Sequence, residues 1–233
     1  EFTAVHDADY YKTSRTPLLY ILNAYFNPFI ETKMGFIRSI FVFSLTVPIF
    51  FYLCLRHKFK KEENLLLILI STTICLSPYF RTSGYWGLEE NYSIASLLLA
   101  FLFLSQFLSS SVNDWKKYFR LFLTVFFSSL CLYFDQKLAI IPLICFLKII
   151  FSNESLKLKI FSTFFYFIFS LPYLYLIISW GNLIPTGDSV ARNLGIQLHF
   201  YHLGYTTTMI AFYLLPLLLF KEKIFELIKN FFF

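Results

Sequence analysis

Charge is what this chain has least of. Only 15% of its residues are Asp, Glu, Lys or Arg, where soluble domains carry roughly a quarter. None of the 14 acids stands in the middle of a long apolar run. An ionised side chain at mid-membrane costs at least about 2.5–3.5 kcal/mol, and ion-coupled transporters that accept that cost display it. Internal repeats and paired Gly/Pro-broken helices, the other marks of such transporters, are also missing. The four cysteines, Cys54, Cys75, Cys131 and Cys145, form no CxxC pair and lie inside apolar runs. They are expected to be small buried hydrophobes. No signal peptide precedes the first apolar run, and the start at Glu1 without Met leads us to expect a fragment of a longer chain, lacking at least one N-terminal helix.

What remains is grease. Hydrophobic residues make up 58% and aromatics 22%, with 32 Phe and a mean hydropathy of +0.64. A soluble fold of this size has no interior large enough to hide so much apolar surface. The composition therefore predicts an all-α, polytopic integral membrane protein. The net charge of +6 sits in short loops rather than on a basic face. That placement argues against a nucleic-acid partner and for a topology signal.

A spanning helix needs about 20 mostly apolar residues. Runs at 35–55, 64–80, 92–110, 118–134, 136–151, 160–180 and 204–220 predict about seven spans. The fourth and fifth are separated only by "DQK", which predicts a tight helical hairpin. Before the first span, "TPLLYILNAYFNPFI" is too short and too broken to cross, and reads as an amphipathic interfacial helix. The whole of 1–233 is expected to be one transmembrane domain: an outer loop and interfacial helix over 1–34, spans over 35–220, and the start of a further segment over 221–233. Alternate loops divide the basic residues 12 to three, the smaller set being Arg81, Lys137 and Arg192. The positive-inside rule puts the larger set in the cytoplasm. The N-terminal segment, "RTSGYWGLEENYS", "DQK" and the loop after 181 then face outward, as expected for a bacterial inner membrane or plasma membrane protein.

That outer face collects the chemistry. It offers Glu1, Glu89 and Glu90 as acids, Arg81, Lys137 and Arg192 as cations, and Asp188 and His199 in the last loop. Carboxylates in a partly desolvated interfacial pocket act as bases. Cations there suit a phosphate head group. Each residue also has a plainer role open to it: helix-end charge for Glu89 and Glu90, a snorkelling side chain for Arg81, and a structural imidazole for His199. Trp86, Tyr85 and Tyr92 fit the aromatic belt of any membrane protein.

Several stretches also resemble a known group. An acidic segment, then "RTPLLYILNAYF", then "GFIRSI" is similar to the start of the GT-C glycosyltransferases, nearest to the protein-mannosyltransferase and aminoarabinose-transferase-like families. "SPYFRTSGYWGLEENYS" resembles the next outer loop of those families, with Glu89, Glu90 and Asn91 at the acidic position where Asp is usual. "LYFDQKLAIIPLI" resembles their RQ-containing stretch, but Asp135 stands where Arg is common, leaving Lys137 as the phosphate candidate. The last loop, with Asp188 and His199, bears a fainter likeness to dolichyl-phosphate-glucose-dependent glucosyltransferases.

The resemblance implies inverting transfer of a sugar from a polyprenyl-phosphate donor to a lipid, glycan or protein hydroxyl on the outer side. Glu1, or an acid lost before it, would be the base, with Glu89 or Glu90 supporting it. Arg81, Lys137 and Arg192 would face the phosphate, with Asp188 and His199 nearby. A divalent metal ion is a possible cofactor, and Glu1, Glu89 and Glu90 are its candidate ligands. Two other classes remain open on the residues: a transporter or flippase of lipid-linked sugars, and a non-catalytic membrane assembly subunit.

Overall fold

The computed structural model describes residues 16–110, 114–181, 204, 207 and 208. The chain divides into two compact units, Glu1–Ala191 and Arg192–Phe233. In the second, the described Gly204, Thr207 and Thr208 are helical, and the Thr208 hydroxyl donates to the Gly204 carbonyl at 2.8 Å. The expected span at 204–220 otherwise lies outside the described residues, as does 221–233.

The described residues of the first unit form helices and connections, with no strand. In order they are α1 (Leu18–Phe26), α2 (Lys33–Ser44), α3 (Thr46–Lys58), α4 (Asn64–Thr72) continued by a 3-10 turn (Thr73–Leu76), and α5 (Pro78–Trp86). Then come α6 (Glu90–Leu108), α7 (Trp115–Phe134), a 3-10 turn (Gln136–Leu138), α8 (Ile140–Ile150) and α9 (Leu156–Trp180). An all-helical chain is what a bilayer demands, because a helix satisfies its backbone polar groups within one segment.

Among the described residues, four helical stretches are long and apolar enough to cross a membrane: Lys33–Lys58, Glu90–Leu108, Trp115–Phe134 and Leu156–Trp180. A fifth is reached if Asn64–Leu76 and Pro78–Trp86, bent by 65°, count as one broken span. The run at 64–80, expected to be continuous, breaks at Ser77–Pro78. Pro78 has no N–H to give and disfavours helical geometry in the residue before it. Ser77 accordingly turns extended, and its side chain caps the new helix by accepting from the Phe80 N–H.

The run at 136–151 yields a helix of 11 residues, about 17 Å long against a bilayer core of about 30 Å. The chain nevertheless changes ends there. Residues Asp135–Lys137 lie beside the last turn of α7, whereas Glu154 pairs with Lys117 in the first turn of α7, Nζ to Oε2 2.7 Å. The hairpin expected around "DQK" is present, with an α-helical second arm shorter than a span.

Side-chain contacts give the directions. Along α6 and α7, Ser93 meets Cys131, Phe103 stacks on Phe127, and Phe107 lies under Lys117, so the two run antiparallel. Residues Ser93, Ser96, Ala100, Leu104 and Phe107 fill one face of α6, and Lys117, Leu121, Thr124, Ser128 and Cys131 one face of α7. This three- and four-residue spacing of small and medium side chains lets membrane helices approach closely. Between α7 and α9 the ring pairs Tyr118–Phe161, Phe122–Phe165 and Phe126–Phe169 advance four residues at a time in both, so these two run parallel. On the other flank, Ser44 meets Asn91 and the Cys54 thiol donates to the Leu98 carbonyl, so the α2–α3 stretch runs parallel to α6. The four cysteines are free thiols, buried or half-buried, as expected.

The Lys117–Glu154 pair closes the end of the bundle where α7 begins. Lys117 is buried and also donates to the Ser110 carbonyl at 3.0 Å. Removing one member of such a pair strands the other charge, at a cost of about 3–5 kcal/mol. Glu154→Gln is therefore expected to lower the unfolding midpoint in detergent sharply, and Lys117→Met with Glu154→Met to recover most of the loss. A single variant as stable as wild type would show that the pair does not hold this end together.

Candidate functional site

At the opposite end of α6 and α7, three connections meet around a cavity of about 140 Å³. Its wall is Thr16, Glu89, Glu90, Phe134, Asp135, Gln136 and Lys137. These positions are far apart in sequence and close only because α6 and α7 lie side by side in opposite directions.

Each wall residue has a local cause. Thr16 precedes α1 and is buried, and its hydroxyl donates to the carbonyls of Tyr133 and Phe134. Those carbonyls belong to the last turn of α7, where no helical N–H remains to satisfy them. Beyond them, Asp135 accepts from the Lys137 N–H at 3.0 Å, an Asx turn that winds Gln136–Leu138 into a 3-10 turn and holds the hairpin tight.

Glu89 and Glu90 arrive by another route. Helix α5 ends at Gly87, which adopts φ +71°, the left-handed conformation that suits glycine best. A Cβ there would also stand 3.2 Å from the Phe36 ring. This reversal starts α6 at Glu90, with both carboxylates turned into the protein: each residue is only 6% exposed. The Ser83 hydroxyl on α5 reaches Glu90 Oε2 at 3.2 Å. Asn91 is fully buried and donates to the Ser44 hydroxyl at 2.8 Å and to the Phe80 carbonyl at 3.1 Å, which locks α5 and α2 to the first turn of α6. Asn91, singled out beside the two glutamates, is thus a structural clamp behind them.

The cavity rests on an apolar floor. Phe134 packs with buried Leu19 and Ile40, and Tyr92 lies between Phe43, stacked at 3.9 Å, and Phe134 at 5.4 Å. At the side, the Tyr79 hydroxyl donates to Asp135 Oδ2 at 3.4 Å, and the Lys137 ammonium lies 6.0 Å from the Tyr79 ring centre. Three acids against one lysine leave the described wall net negative. Gln136 adds a donor: among the described residues its buried Nε2 meets no hydrogen-bond partner.

Of the residues singled out in the sequence, Glu89, Glu90 and Lys137 come together here. Arg81 does not: it is exposed on α5 and takes no part in the wall. Glu1, Asp188, Arg192 and His199 lie outside the described residues. Thr16 and Gln136 were not singled out; Thr16 stands in the quoted "RTPLLY" stretch and Gln136 in "DQK", but nothing local marks either as a wall residue. Among the described residues no group of three or more His, Cys, Asp or Glu side chains is placed to hold a metal ion.

Gly87→Val is expected to strain the turn by about 1–2 kcal/mol and to displace the glutamates. The readout is labelling of a cysteine placed at position 89 by a water-soluble maleimide, slow in the otherwise native chain and faster with Val at 87. Equal labelling rates would mean that the turn does not set the burial of the acids.

Compared with known proteins, the chain matches no family model, no curated protein and no solved structure.

Proposed function

We propose that the protein is a membrane glycosyltransferase that moves a sugar from a polyprenyl-phosphate donor to an acceptor hydroxyl at the extracytoplasmic face, with inversion. One observation carries this reading: Glu89 and Glu90, buried in a cavity with Asp135, Gln136 and Lys137, at one end of a bundle of apolar helices. That is the level at which the phosphate of a membrane-dissolved lipid lies, and the wall offers both a base and a cation.

In this scheme a wall carboxylate, Glu89 or Glu90, takes the proton from the acceptor hydroxyl as its oxygen attacks the anomeric carbon. The bond from that carbon to the phosphate oxygen breaks, and the polyprenyl phosphate leaves with the electron pair. Lys137 steadies the charge gathering on the leaving phosphate, and the Gln136 amide is a further donor for it or for the sugar. Arg192 remains a candidate for the donor phosphate on its place in the sequence alone. Glu1 keeps its candidacy as base on the sequence resemblance alone.

The test is transfer of label from a panel of polyprenyl-phosphate sugars by the full chain in membranes. Loss of a positioned general base costs roughly 10²–10⁴-fold, so Glu89→Gln with Glu90→Gln is expected to lower transfer by at least about 100-fold while insertion is unchanged. Lys137→Met should lower it less. Transfer that survives the double substitution removes the carboxylates from the mechanism. A wild-type protein that consumes no donor overturns the enzyme reading and favours a carrier of lipid-linked sugars.

A further inference from the structure

The 65° bend that sets α5 apart from α4 has a second consequence, independent of the chemistry proposed for the cavity. Helix α5 is held at the level of the first turn of α6, through Asn91 to the Phe80 carbonyl and Ser83 to Glu90. Helix α6 has 19 residues, about 29 Å, so its first turn marks the edge of a bilayer core about 30 Å thick. Turned by 65°, the nine residues of α5 gain only about 6 Å along the direction of α4. Helix α5 therefore runs along the boundary rather than through it.

Its two faces differ as an interfacial helix requires. Phe80, Ser83 and Gly84 are buried against the bundle. Opposite them stand Arg81, Tyr85 and Trp86, with Tyr85 66% and Trp86 59% exposed and their rings edge to face at 5.2 Å. Tyrosine and tryptophan favour the head-group level of a membrane, and a guanidinium pairs with phosphate oxygens in a bidentate way. No acid stands on α5; among the described residues Asp135 meets Tyr79 at its side, and Glu89 and Glu90 are turned into the cavity. The face presented outward is aromatic and cationic.

We infer that the Arg81–Tyr85–Trp86 face of α5 is a docking surface for anionic phospholipid head groups, lying in the head-group layer beside the mouth of the cavity. Tyr79, on the same helix, reaches Asp135 and Lys137, so a lipid docked on α5 stands next to the cavity wall.

The test uses the whole chain in vesicles, and assigns the Trp86 signal by difference between wild type and Trp86→Phe, leaving the exposed Trp115 and the buried Trp180 untouched. With phosphatidylcholine brominated at defined depths, Trp86 emission is expected to be quenched most by the shallowest bromines. Energy transfer from Trp86 to trace dansyl-phosphatidylglycerol should exceed that to dansyl-phosphatidylcholine, by at most about fivefold for one basic side chain at the surface. Arg81→Gln should abolish that excess and leave the bromine quenching unchanged. Three results would overturn the inference: quenching by aqueous iodide rather than by lipid, quenching by neither because protein or a second copy covers the face, or equal transfer to the two lipid probes.

Discussion

Helices α6 and α7 pack antiparallel along their lengths, and the remainder of the first unit is arranged by that contact. Small residues on both, Ser93, Ser96 and Ala100 facing a seam of Thr124, Ser128 and Cys131, allow the backbones to come close. Helix α9 then follows α7 through a ladder of phenylalanines, and the α2–α3 stretch follows α6 through Ser44 and Cys54. Because the pair is antiparallel, the start of α6 and the end of α7 share one end. Glu89 and Glu90 meet Asp135, Gln136 and Lys137 for that reason, with no local signal drawing them together.

The two ends of the pair show contrasting solutions to the same electrostatic difficulty. Where α7 begins, the buried Lys117 has Glu154, the Ser110 carbonyl and the Phe107 ring around it, so its charge is matched and the closure is structural. A matched buried pair of this kind holds a fold together. Where α7 ends, the described residues around the cavity include three carboxylates, Glu89, Glu90 and Asp135, and one ammonium group, Lys137. Between the ends, the hydroxyls of Ser44, Ser71, Thr124 and Ser162 donate to carbonyls three or four residues earlier in their own helices, so these four satisfy themselves locally.

Helix α5 links the two themes of membrane and site. The break at Ser77–Pro78 turns it by 65° from α4, its buried face receives Asn91, and its C-terminal Gly87 redirects the chain so that the glutamates point inward. Arg81, which pattern alone grouped with the phosphate-facing cations, is carried to the outward face by the same geometry. Its exposure follows from helical spacing against Phe80, Ser83 and Gly84.

By itself the sequence determined the apolar, helical character of the chain: 58% hydrophobic and 15% charged, it carries more apolar surface than an interior of its size hides, and runs that apolar meet their backbone hydrogen bonds within one segment as helices. It also determined where charge is tolerated, and so that acids and bases would collect in the connections. The tertiary structure decided the rest. Hydropathy averages over a window, so it read through Ser77–Pro78 and could not see that α8 would be 11 residues long. Which connections share an end, and which side chains there line one cavity, depends on contacts between residues more than a hundred positions apart, such as Thr16 with the last turn of α7. No local pattern records such a contact, because its energy exists only once the helices are packed.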